Sequence, residues 1–178
     1  KQVIRLEWMD KAANSLLAGL DSRTIRTDLH DFLSDADNDI SSDHRSTQTR
    51  TFVVNNLMKI WVTPDVELVS LREDLLRILR DQPQVSMAIH WAMISAVYPF
   101  WFNVAFQTGR LLKLQNQITQ SQIVSRLKEQ YGDRQTVSRY ARYVLRSFVA
   151  WQVLRDSPRR GSYEPTPPLI VSDPEIGV

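Results

Sequence analysis

Residues 119–161 read TQSQIVSRLKEQYGDRQTVSRYARYVLRSFVAWQVLRDSPRRG. Thr119 and Gln122 stand at capping-box spacing: the hydroxyl can accept from the amide three residues on, while the Gln side chain reaches back. Ile123, Val124, Leu127 and Tyr131 then recur on one side of a helix. Gly132 and Asp133 supply a helix stop and a fresh N-cap within two residues. A longer helix follows, predicted over about 134–151. A helix, a tight Gly turn and a second helix is the spacing of a helix-turn-helix.

The second helix has two faces. At about 100° per residue, Val137, Tyr140, Ala141, Val144, Phe148 and Trp151 gather on one side as a core stripe. Gln135, Arg139, Arg142 and Arg146 gather on the other, flanked by Ser138 and Tyr143. No acid stands three or four residues from these arginines within the helix. An Arg can fork to phosphate oxygens or a guanine edge, and Gln and Ser can address base edges. Beyond the helix, 152–156 reads as a short strand, 157–161 as a turn and 162–164 as a returning strand. Arg159 and Arg160 sit at the tip of this hairpin, where a winged helix-turn-helix has its wing beside the duplex backbone. The predicted nucleic-acid contacts are Arg134, Gln135, Ser138, Arg139, Arg142, Tyr143, Arg146, Arg159 and Arg160.

The charge map supports the same face. The chain of 178 residues has 22 Lys and Arg against 20 Asp and Glu, a net of +2. Residues 110–160 carry a net of +8, whereas 1–109 and 161–178 each carry −3. A short basic segment in an otherwise acidic chain is the footprint of a polyanion-facing surface.

Upstream, the pattern is that of an α-helical bundle. Val3, Ile4, Leu6, Met9, Ala13, Leu16, Leu17 and Leu20 recur at helical spacing, with Gly19 near the stop. A second helix begins at Ser22 with Ile25, Leu29, Phe32 and Leu33 inward, and a third covers 46–61. Pro64 is placed to open a fourth helix with Leu68, Leu71, Leu75, Leu76 and Leu79 as its stripe. Residues 85–106 are apolar enough to raise the question of a membrane span. His90, Ser95, Pro99 and Asn103 interrupt the run, and no basic flank sets a topology, so it reads as two core helices broken before Pro99. The expected fold class is all-α: a helical bundle over 1–114, a winged helix-turn-helix with a small β-hairpin wing over 115–164, and a proline-containing tail over 165–178. Leu169, Ile170 and Val171 in that tail suggest a packing strand or partner segment.

Other chemistry finds little support. There is no cysteine, so thiol catalysis, disulfides and Cys-based zinc sites are excluded. The glycines, at 19, 109, 132, 161 and 177, are too far apart for a phosphate-cradling Gly-rich loop. Asp35, Asp37, Asp39, Ser41 and Asp43 alternate as in a calcium loop. Ile40 stands where that loop requires Gly, and Ser46 where it requires Glu, so a solvated acidic loop is expected. His90 reads as a hydrogen-bonded core histidine. No catalytic grouping emerges, and the expectation is a non-enzymatic protein without metal or cofactor.

In its order of features the chain resembles the BrxA family of bacteriophage-exclusion (BREX) defence systems. The N-terminal bundle is followed by the aromatic run Tyr98-Pro99-Phe100-Trp101-Phe102, then by the segment 109–118 and the helix from Thr119. The helix over 136–154, ending in Phe148, Trp151 and Val153, completes the likeness, which spans most of residues 3–155. The resemblance implies a small cytoplasmic accessory protein, without enzymatic activity, that binds DNA and works with other defence-system proteins. Read from the residues alone, a protein scaffold and an RNA-binding bundle remain as alternatives.

Overall fold

The structure is a computed structural model that describes residues 3–35 and 46–167. Among these the fold is all-α in character, with eight α-helices and one small three-stranded sheet. The alternating loop positions Asp37, Asp39, Ser41 and Asp43 and the triplet Leu169, Ile170 and Val171 lie outside the described residues. Two compact units divide between Val97 and Tyr98.

The first unit is helical throughout. α1 (Leu6–Leu17) buries Trp8, Met9, Ala12 and Ala13 and stops before Gly19, whose φ of 77° suits a residue without a Cβ. α2 (Ser22–Asp35) starts where the Asp21 carboxylate accepts from the backbone N–H of Arg23 at 2.9 Å and Thr24 at 3.1 Å. Hydrogen bonding by the Thr24 hydroxyl and these amides holds the Asp21 carboxyl below its usual 3.8. α3 (Thr47–Leu57) is capped by Ser46, which accepts from the Thr49 N–H. It continues into a π-helical turn, Met58–Val62, that buries Met58, Ile60, Trp61 and Val62. Pro64 does not open the next helix as expected. A 3₁₀ turn over Val66–Leu68 intervenes, and α4 (Val69–Asp81) begins only afterwards. Its stripe is correspondingly shorter: Leu75, Leu76 and Leu79 are buried, while Leu71 is exposed.

α5 (Ser86–Val97) is apolar on all sides because it is the inner helix of this unit, packed against α1, α4 and the π turn. His90, fully buried on it, bonds through Nε2 to Asp10 Oδ1 of α1 at 2.8 Å, and its ring meets Trp61 edge-on at 5.3 Å. It is the hydrogen-bonded core histidine that the sequence suggests. α5 ends at Val97, and α6 (Pro99–Leu112) starts with Pro99 at its first position, where a missing N–H breaks no helix bond. The apolar run is thus two helices, and among the described residues no single helix is long and apolar enough to cross a membrane.

The second unit begins with α6, which the sequence reading assigned to the bundle. The reason for the difference is Trp101: its ring packs edge-on against Phe148 at 5.1 Å and tilts against Trp151 at 5.5 Å. A two-residue strand, β1 (Ile118–Thr119), leads into α7 (Gln120–Tyr131). The capping box is formed: the Gln122 N–H donates to Thr119 Oγ1 at 3.2 Å, and the Gln122 side chain accepts from the Thr119 N–H at 2.8 Å. Gly132, at φ 80°, closes α7, and α8 (Gln135–Ala150) follows. Its N-cap is Arg134 rather than Asp133, whose carboxylate instead pairs with Lys128 at 2.6 Å.

β2 (Leu154–Asp156) and β3 (Ser162–Pro165) form the hairpin. The strand order is β1-β3-β2, all antiparallel, with Thr119 opposite Ser162 and Arg155 opposite Glu164. Pro165, expected to begin the tail, is the last residue of β3 and faces Leu154. The core of this unit combines Trp101, Ile118, Ile123, Leu127, Ala141, Leu145, Phe148, Trp151, Leu154 and Tyr163.

Candidate nucleic-acid interface

α8 carries its polar and apolar residues on separate faces, as a half-buried helix must. Val137, Ala141, Val144, Leu145 and Phe148 are buried. Tyr140, predicted to join them, is 39% exposed. It sits at the margin of the stripe by the 100° step, and Leu145 on the other margin fills the core in its place. Tyr140 and Tyr143 meet edge-on at 6.1 Å, with the Arg139 guanidinium 5.5 Å from the first ring and that of Arg142 5.7 Å from the second. These contacts lay the arginine stems along aromatic surface and leave the charged ends in water.

Arg134, Gln135, Arg139 and Arg142 are exposed, and Ser138 and Tyr143 are half-buried. Arg146 departs from the expectation of an unpaired face. Its Nη1 donates to both carboxylate oxygens of Asp156, at 2.5 and 2.7 Å. No acid lies one helical turn away within α8; this one comes from β2 across the fold. The Asp156 hydrogen bonds hold the Arg146 guanidinium all the more firmly in its charged form. Beneath the pair, burial pushes the Tyr163 phenol above its usual 10, and the Arg146 charge opposes that rise in part. Arg146 therefore fastens the helix to the hairpin.

The hairpin tip is a tight turn. The Ser157 N–H donates to the Ser162 carbonyl and the Ser162 N–H to the Arg159 carbonyl, both at 3.0 Å. Gly161 supplies the left-handed residue at φ 75°. Arg159 and Arg160, on this turn, are exposed. Among the described residues, Arg134, Arg139, Arg142, Arg159 and Arg160 have no carboxylate partner, whereas Arg155 pairs with Glu164 at 2.8 Å.

Three of the predicted residues, Ser138, Arg159 and Arg160, line one open cleft of about 550 Å³. Thr119, Gln120, Ser121, Lys128 and Ser162 line it too, and sequence reasoning did not single these out as contacts. The capping box marked where α7 starts, and helix starts attract anions. What the sequence lacked was β1, the strand that brings this start against the hairpin. Among the described residues, no cluster of three or more His, Asp or Glu side chains could hold a metal ion.

Compared with protein-family models, curated proteins and solved structures, the chain matches none.

Proposed function

We propose that this protein binds duplex DNA through a winged helix-turn-helix formed by its second unit, with α8 as the recognition helix and the β2–β3 hairpin as the wing. The observation that carries the reading is the set of unpaired guanidiniums: Arg139 and Arg142 on α8 and Arg159 and Arg160 at the hairpin tip, in a segment of net charge +8. A helix pair followed by a hairpin supports it, since that arrangement brings one helix to a major groove and a loop to the neighbouring backbone. Phosphate contacts then supply most of the affinity, and Gln135, Ser138 and Tyr143 are the groups of α8 left to meet base edges and sugars. No catalytic role is part of this reading. A cytoplasmic accessory role in phage defence, alongside other defence-system proteins, is also part of it and rests on the resemblance to the BrxA family.

The test is a binding titration with a random duplex of about two helical turns. Replacing Arg139 and Arg142 together by Ala should weaken binding by about tenfold or more, at about 1 kcal/mol per lost charged contact, with the helical circular-dichroism signal unchanged. Undiminished binding rejects the assigned face. A second reading, a protein-docking adaptor, has its own observation: Phe102 and Phe106 stack on α6 while 51% and 47% exposed. It predicts that F102A/F106A abolishes partner association and leaves duplex binding untouched. RNA is separated by competing a structured RNA of equal length against the duplex.

A further inference from the structure

We infer that the cleft between the start of α7, Ser138 and the hairpin turn is a seat for one phosphate group. This deepens the duplex reading, on which it rests for the identity of the phosphate. The first support is Ser162. It is 1% exposed, it lines the cleft, and its Oγ has no hydrogen-bond partner. A buried hydroxyl left unpaired is costly, and an anionic oxygen entering the cleft would accept from it.

The second support is the α7 terminus. Its first turn has four amides without helical acceptors. The Gln120 N–H is taken by the Gly161 carbonyl at 2.8 Å and the Gln122 N–H by Thr119 Oγ1 at 3.2 Å. The Ser121 N–H, between them, has no acceptor within the helix, and Ser121 lines the cleft. The positive end of the helix dipole adds to it. The third support is charge: Arg159 and Arg160 border the same space, with Lys128, whose ammonium is shared with Asp133 at 2.6 Å.

The fold holds these groups together by backbone bonds. Pairing of β1 with β3 sets Thr119 opposite Ser162, and the Gln120–Gly161 bond clamps the hairpin turn onto the helix start. The seat is therefore preorganised, which lowers the cost of ordering it around a ligand. Its donors are hydroxyl, amide and guanidinium groups that suit a tetrahedral anion.

The experiment titrates the full chain with inorganic phosphate against sodium chloride at matched ionic strength, followed by amide NMR. Saturable shifts centred on Gln120, Ser121, Gly161 and Ser162 are expected at millimolar phosphate. S162A should weaken the titration at least threefold and R159A/R160A should remove it, while R139A/R142A should leave it unchanged. Absence of saturable shifts, or the same curve for S162A, overturns the seat. If the phosphate belongs to a nucleic-acid backbone, S162A also lowers affinity for the random duplex. If it belongs to a free monoester, S162A weakens adenosine monophosphate and leaves the duplex unaffected. Saturable phosphate binding by a chain that fails to retain duplex keeps the seat and removes the duplex reading. Duplex binding with a flat phosphate titration does the reverse.

Discussion

Gln152 ends α8 with a φ of 58°, the only non-glycine in left-handed backbone among the described residues. A side chain there pays a steric penalty of about 1–2 kcal/mol, set against the entropy that glycine loses on folding, about 0.5–1 kcal/mol. The backbone bonds hold the conformation: the Gln152 N–H donates to Val149 and its carbonyl accepts from the Thr166 hydroxyl. Q152G keeps both bonds, so it should stabilise the protein by about 0.5 kcal/mol, read as a rise of about 1–2 °C in Tm. A lower Tm would mean that the Gln side chain contributes more than the strain removes. Residues whose environment is settled by their own chemistry were legible in sequence. His90, an imidazole in an apolar run, had to find a hydrogen bond, and Asp10 provides it at 2.8 Å. Gln152 was not legible, because nothing in Trp-Gln-Val announces a left-handed turn.

Between α8 and the hairpin, the Arg146–Asp156 pair decides which guanidiniums of the outer face are left without a carboxylate. Helical periodicity placed Arg146 with Arg139 and Arg142, and it lies on that face. Its charge is nonetheless taken by an acid ten residues on, which periodicity within one helix cannot reveal. The two-residue β1 was equally hidden, since Ile118 and Thr119 are too short a run to show a strand period. Capping signals fared better, because they depend on neighbours in sequence: Thr119, Gln122 and Gly132 mark the ends of α7 as read. The pair carries a prediction. Both side chains are about half exposed, 42% and 54%, so D156N should cost at most about 1 kcal/mol of stability. It also frees Arg146 and removes a negative charge beside the proposed backbone contact, so duplex affinity should rise about threefold to tenfold at 0.1 M salt. A fall in affinity measured by fluorescence anisotropy would show instead that the pair holds the hairpin in its binding position.

At the scale of the molecule, charge and folding units divide the chain in nearly the same place. The first unit ends at Val97, and the basic segment begins at Arg110 on α6, which belongs to the second. The charge division was legible from residue counts. The unit boundary was not: Pro99 marks a helix break, but the helices on both sides of it read alike as apolar core, and only the packing of Trp101 on Phe148 and Trp151 assigns α6 to the second unit. Under the proposed duplex reading, this concentration of charge sets the salt dependence. Each phosphate neutralised releases condensed counterion and adds about −0.9 to the slope of log K against log salt. Five unpaired arginines, at 134, 139, 142, 159 and 160, would give a slope of about −4 to −5 if all meet phosphates, and proportionally less for any that meets a base. R159A should reduce the slope by about 1, whereas R146A should lower stability and leave the slope where it was. The measurement is an anisotropy series from 50 to 200 mM salt, about the range over which such interfaces lose most of their affinity. A slope near zero would move the function to the exposed Phe102–Phe106 stack, since apolar docking responds little to ionic strength.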